Sequence, residues 1–117
     1  ANIEAVSEAF VLSRKAGLNP RLVFEAIRGG LAGSNVLNDK VPKMIARDFK
    51  PGFRIRLHHK DLNNALVTGK EFGVELPVTE LVHQMLTGLI GMGKGDDDHS
   101  AISNFLEDMA NITIGGD

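Results

Sequence analysis

The 117-residue sequence contains no cysteine, which removes disulfide frameworks and thiolate metal sites and suits a cytosolic protein. It has no apolar run approaching the roughly 20 residues that a membrane-spanning helix needs, and its first residues do not read as a signal peptide. It also lacks a basic excess: 13 Lys and Arg face 15 Asp and Glu, for a formal charge of -2. A general nucleic-acid binder would be strongly basic, so that class is set aside. No internal repeat, low-complexity tract or second-domain boundary is visible. The remainder, 43% hydrophobic and 24% charged, is ordinary for a soluble globular protein with enough chain for one cored domain.

Helical spacing dominates what is present. Ile3, Val6, Phe10 and Ala16, with Ala9 and Val11, mark a first helix that stops at Gly17. It begins in mid-pattern without a cap, so the chain is expected to be cut from a longer protein inside a helix. Asn19 and Pro20 form an N-cap and first helical residue, after which Leu22, Val23, Ala26 and Ile27 are expected on one buried stripe. Ser34 caps a third helix, expected to break or kink at Pro42. A fourth runs from about Arg56 to Phe72, and a fifth from Pro77 with Val78, Leu81, Val82, Met85, Leu86 and Leu89 at helical spacing. Asp97, Asp98 or Ser100 caps the last helix, and only the tail NITIGGD suggests extended structure. The fold class is all-α, with five to seven helices.

Most motif candidates fail on chemistry. RKAGLNPRLVFEAIRGG has a helix-turn-helix outline, but its second helix offers only Arg21 and Arg28 to a phosphate backbone. His58, His59, His83 and His99 show no metal-ligand spacing, so no metal site is expected. GMGKG follows a helix and precedes three aspartates, which excludes a phosphate loop. The exception is FKPGFRIRLHHKDLNNAL, Phe49 to Leu66, where Lys50, Arg54, Arg56 and Lys60 gather in an otherwise acidic chain. On a helix Lys60 and Asn64 share a face, while Asp61 is turned about 100° away. By composition alone, this is a solvated helix end.

Three segments in order, SEAFVLSRKAGLNPRLVFEAIRGGLAGSNVL, DFKPGFRIRLHHKDLNNAL and GVELPVTELV…DHSA, resemble the C-terminal domain of the β-hydroxyacid dehydrogenases, the 3-hydroxyisobutyrate dehydrogenase family. The FKPGFRIxLHxKDL pattern carries the family likeness. AIRGGLAGS is similar to the branch that reduces tartronate semialdehyde to glycerate. The resemblance implies a fold like the C-terminal domain of 6-phosphogluconate dehydrogenase, residues 1–117 forming one helical substrate and dimerisation domain. It also implies an N-terminal Rossmann domain outside this chain and an NAD or NADP cofactor. Further implied partners are a small semialdehyde or hydroxyacid substrate and a second copy of the chain.

Carried over by position, the resemblance gives Lys60 a contact with the cofactor and places Phe53 and Asp61 in the substrate and nicotinamide pocket. The GGLAGS turn is expected beside the same cleft. The family's catalytic lysine falls upstream of Ala1, so no catalytic residue is assigned within this chain, and the isolated chain is expected to be inactive. Other semialdehyde specificities, or a stand-alone helical module that self-associates, are the competing readings.

Overall fold

A computed structural model describes residues 1–116. Among these, the chain forms six α-helices and one 3-10 turn: α1 Asn2–Lys15, α2 Pro20–Ile27, α3 Asn35–Ala46, α4 Ile55–Glu71, α5 Pro77–Gly91, the 3-10 turn His99–Ala101, and α6 Ile102–Ala110. α1 lies against α2, α3 and α6, whereas α4 and α5 form an antiparallel hairpin that joins the body through α6 and the 3-10 turn. The shared core contains Phe10, Leu37, Val41, Met44, Ile55, Leu86, Leu89, Ile102 and Ile114.

Local chemistry sets most boundaries. Asn19 Oδ1 accepts hydrogen bonds from the amides of Arg21 and Leu22, with Pro20 opening α2. Ser34 Oγ likewise accepts from the amide of Leu37. These caps satisfy amides that the first helical turn leaves without a partner. Gly17 follows α1 with φ +90°, a conformation that costs glycine nothing.

The structure departs from the sequence expectations where long-range packing decides. In α2 the buried residues are Pro20 and Phe24, while Leu22 is 69% exposed and Ala26 also faces out; only Val23 and Ile27 of the expected stripe pack on the core. α3 runs unbroken through Pro42, which lies on its exposed side. Val78 and Leu81 share the helical spacing of α5 yet remain exposed, with Val82, Leu86 and Leu89 turned inward.

The tail forms no strand among the described residues, and Asp117 of NITIGGD lies outside them. Instead, Asn111 adopts a left-handed conformation, and the amide of Ile114 donates to Glu107 Oε2 at 2.7 Å. The same carboxylate oxygen accepts from Arg47 Nη1 at 2.7 Å, tying the tail to the end of α3. A single segment beside helices has no ladder to join, so its backbone bonds go to side chains.

Candidate functional site

The segment before α4 is shaped by a second loop, residues 94–99, that runs alongside it. Asp98 donates its amide to the carbonyl of Phe49 at 2.9 Å, and His99 donates to that of Phe53 at 2.7 Å. Farther along, the amide of Ile55 reaches the carbonyl of Asp97 at 2.9 Å, and that of Arg56 reaches Gly95 at 2.8 Å. Arg54 and Asp98 form an isolated antiparallel bridge. This stitching fixes the approach to α4 before any helix hydrogen bond forms.

Asp98 is the centre of the arrangement. Its side chain is fully buried. One carboxylate oxygen accepts from the amides of Gly52 and Phe53, each at 2.9 Å, and the other from Ser100 at 3.0 Å. Lys40 Nζ lies 3.2 Å from the carboxylate and is itself 8% exposed. Burial, the largest single influence, favours the neutral acid. Hydrogen bonds from Ser100, Phe53 and Gly52 together outweigh it and hold Asp98 far below the ordinary carboxylate range. The pair is therefore a buried, ionised anchor that fixes the turn Gly52–Phe53.

Phe53, thus held through both its amide and its carbonyl, meets two imidazoles. Its ring centroid lies 5.2 Å from that of His99, edge-on, and 6.0 Å from that of His58. The two histidines are 5.0 Å apart by centroid, with their Nδ1 atoms 3.2 Å apart. Burial, then the nearby Lys40 charge, pushes His99 down to about 4; burial also lowers His58. The charge of the Ala1 amino group also lowers His58, and Asp61 raises it. One residue along α4, His59 turns away and stacks on His83 of α5, centroids 4.1 Å apart, with Nε2 2.9 Å from Thr87 Oγ1. All four histidines of the chain are thus taken up in two pairs.

Of the residues singled out in the sequence, Phe53, Lys60 and Asp61 fall on this turn and the first two turns of α4. Phe53 is half-buried, whereas Lys60 and Asp61 are exposed. Lys60 makes no hydrogen bond or ion pair among the described residues, so its ammonium is available to a ligand. The GGLAGS turn lines a cavity of about 330 Å³ with Asn2, Val6 and Phe10; Phe53, Lys60 and Asp61 are not among its walls.

Sequence reasoning missed Lys40 and gave Asp98 only as one of three candidate caps, a role it fills for the 3-10 turn by accepting from the Ser100 amide. A signal existed for the first: Lys40 interrupts the buried stripe Leu37, Val41, Met44, where an unpaired lysine would not be tolerated. For the further bonds of Asp98 to Gly52 and Phe53 there was none, since three consecutive aspartates are equivalent until the chain folds.

Comparison with known proteins completes the description. The family described as NAD-binding of NADP-dependent 3-hydroxyisobutyrate dehydrogenase matches residues 1–106. The chain is 44% identical over 110 residues to 2-hydroxy-3-oxopropionate reductase of Escherichia coli (strain K12), covering 94% of this chain and 38% of that protein. It is 38% identical over 116 residues to 2-(hydroxymethyl)glutarate dehydrogenase of Eubacterium barkeri, covering 98% of this chain and again 38% of the relative. The crystal structure of a 3-hydroxyisobutyrate dehydrogenase from Salmonella typhimurium superposes with a TM-score of 0.83 at 24% identity, over 87% of this chain and 36% of that one. At that identity the superposition speaks for the fold alone.

Proposed function

Because this chain belongs to the 3-hydroxyisobutyrate dehydrogenase family, we propose that it is the helical part of an NAD(P)-dependent reductase that converts tartronate semialdehyde (2-hydroxy-3-oxopropanoate) to glycerate. The observation that carries the reading is the wall Phe53–Asp61: an apolar ring pinned at the entrance to α4, followed by an unpaired lysine. The 44% identity to a 2-hydroxy-3-oxopropionate reductase supports this substrate over other semialdehydes.

In this reading the chain, which spans 38% of those two relatives, contributes one wall of the site. A Rossmann domain preceding Ala1 contributes the other, together with the catalytic lysine. The cofactor, when bound, supplies the hydride. Lys60 suits a polar group of that cofactor, because an exposed ammonium with no internal partner gives up only water on binding. Phe53 excludes water from the carbonyl being reduced, and Asp61 borders the substrate end. Phe72, Val74, Val78 and Leu81 are exposed on or between α4 and α5 and supply apolar surface for a second copy of the chain.

The test is Lys60→Ala in the complete gene product, read as cofactor dissociation constant and kcat separately. The expected outcome is cofactor binding weakened about tenfold, the worth of one hydrogen bond to a charged group, with kcat at saturation little changed. Unaltered cofactor affinity would remove Lys60 from the cofactor site.

A further inference from the structure

The histidine pair beside Phe53 has a geometry that packing alone does not require. Two nitrogen atoms 3.2 Å apart must have a proton between them, since facing lone pairs repel and facing N–H groups clash. One imidazole therefore carries its proton on Nδ1 and donates, while the other accepts on Nδ1. The same two rings meet Phe53, His99 edge-on and His58 at a tilt, and the backbone of Phe53 is already fixed by Asp98 and His99. Three rings in mutual contact leave Phe53 little freedom to turn as long as the pair stays closed.

We infer that His58 and His99 are positioning residues of this site: one proton shared between their Nδ1 atoms locks both imidazoles against Phe53 and holds that ring in its place. The inference rests on the proposed role of Phe53 in lining the substrate pocket. Neither histidine is asked to touch substrate. A first added proton is accommodated, because a singly protonated pair still has one donor and one acceptor facing each other. A second proton replaces the accepting lone pair with another N–H and opens the contact. Lys40 and then His58 lower His99 while Asp98 and, more weakly, Asp39 raise it; the Ala1 amino group lowers His58 and Asp61 raises it. With His99 held down to about 4, the pair stays closed across neutral and mildly acidic pH.

The experiment uses the complete gene product and two variants that separate proton sharing from space filling. His58→Asn keeps a hydrogen-bonding atom near the position of Nδ1 but loses the ring; His58→Phe keeps the ring but cannot share a proton. The proposal expects His58→Phe to raise the KM for the semialdehyde about tenfold or more, a misplaced contact being sufficient for that, and His58→Asn to recover most of the loss. A space-filling role predicts the reverse order, and that order overturns the proposal. Histidine NMR of the same protein supplies a readout independent of catalysis. One of the two imidazoles is expected as the Nδ1–H tautomer at neutral pH, with Phe53 ring shifts moving only below about pH 4. If both are Nε2–H tautomers, no proton is shared and the inference is wrong, whatever the substrate. If the wild type reduces no semialdehyde, the assigned reaction fails instead, and the tautomers alone decide the pairing.

Discussion

At the scale of single residues, two buried carboxylates show how environment sets charge. Asp98 is held far below the ordinary carboxylate range because hydrogen bonds from Ser100, Phe53 and Gly52 outweigh its burial. Glu4, on the buried side of α1 and 7% exposed, has no hydrogen-bond partner on either oxygen. Burial, followed by the charge of Glu8, raises it from 4.5 to about 7. A carboxyl whose folded pKa is raised contributes most below its unfolded value and costs stability as pH climbs through the folded one. Between about pH 4.5 and 7 this destabilises the fold by up to about 3 kcal/mol, each unit being worth about 1.4 kcal/mol. His99 works in the opposite sense: with its folded pKa lowered, the stability it allows is complete above about 6.5 and is lost as pH falls toward 4. The Glu4 slope opposes that of His99, which the lowered His58 and His59 reinforce, so acidification costs the wild type less stability than the histidines alone would take. Glu4→Gln should unmask a loss of stability on acidification from pH 6.5 to 4.5, together with higher stability than wild type at pH 8. Urea denaturation at those three pH values checks this; identical curves for both proteins would contradict it.

At the scale of elements, the connection from α4 to α5 folds back onto α4 at a residue without a side chain. A Cβ on Gly69 would stand 2.8 Å from the carbonyl oxygen of Val74 and 3.1 Å from Leu76 Cδ1. Because the first obstacle is backbone, it cannot swing aside. Gly69→Ala is therefore expected to destabilise the hairpin by about 1–3 kcal/mol, although alanine is the better helix former. A drop in the urea midpoint at unchanged slope is the expected result, and an unchanged or higher midpoint would refute the close packing. The helices themselves were largely legible in the sequence, because caps such as Asn19 and Ser34 and stop signals such as Gly17 act within a few residues. The faces they bury were less so. Leu22 and Phe24 on α2 are both apolar, and only the position of α1 and α3 decides that Phe24 goes inside. The FKPGF segment stood out only through its family resemblance, and the loop that shapes it lies some 45 residues farther along the chain. No local rule links Phe53 to Asp98 or His58 to His99.

At the scale of the whole molecule, the described residues form one helical body, and the wall proposed from Phe53 to Asp61 lies open on it rather than in an enclosed site. Lys60 and Asp61 face outward, and the wall gains meaning only with a surface opposite it. The chain contains no GxGxxG fingerprint for a dinucleotide pyrophosphate, and it covers 38% of the reductase and dehydrogenase relatives described above. In the proposed reading, the choice between NADH and NADPH, made at the ribose 2′ position, belongs to the opposite wall. No helix among the described residues is long and apolar enough to cross a membrane.

The account stands most directly on which carbonyl compound is reduced. The decisive measurement is the oxidation of NADH and NADPH by the complete gene product with tartronate, succinate and methylmalonate semialdehydes, alongside the 117-residue chain alone. The predicted result is the highest kcat/KM for tartronate semialdehyde with the complete protein and no turnover by the isolated chain. Preference for another semialdehyde would contradict the assigned substrate, and turnover by the isolated chain would contradict the claim that it supplies only one wall of the site.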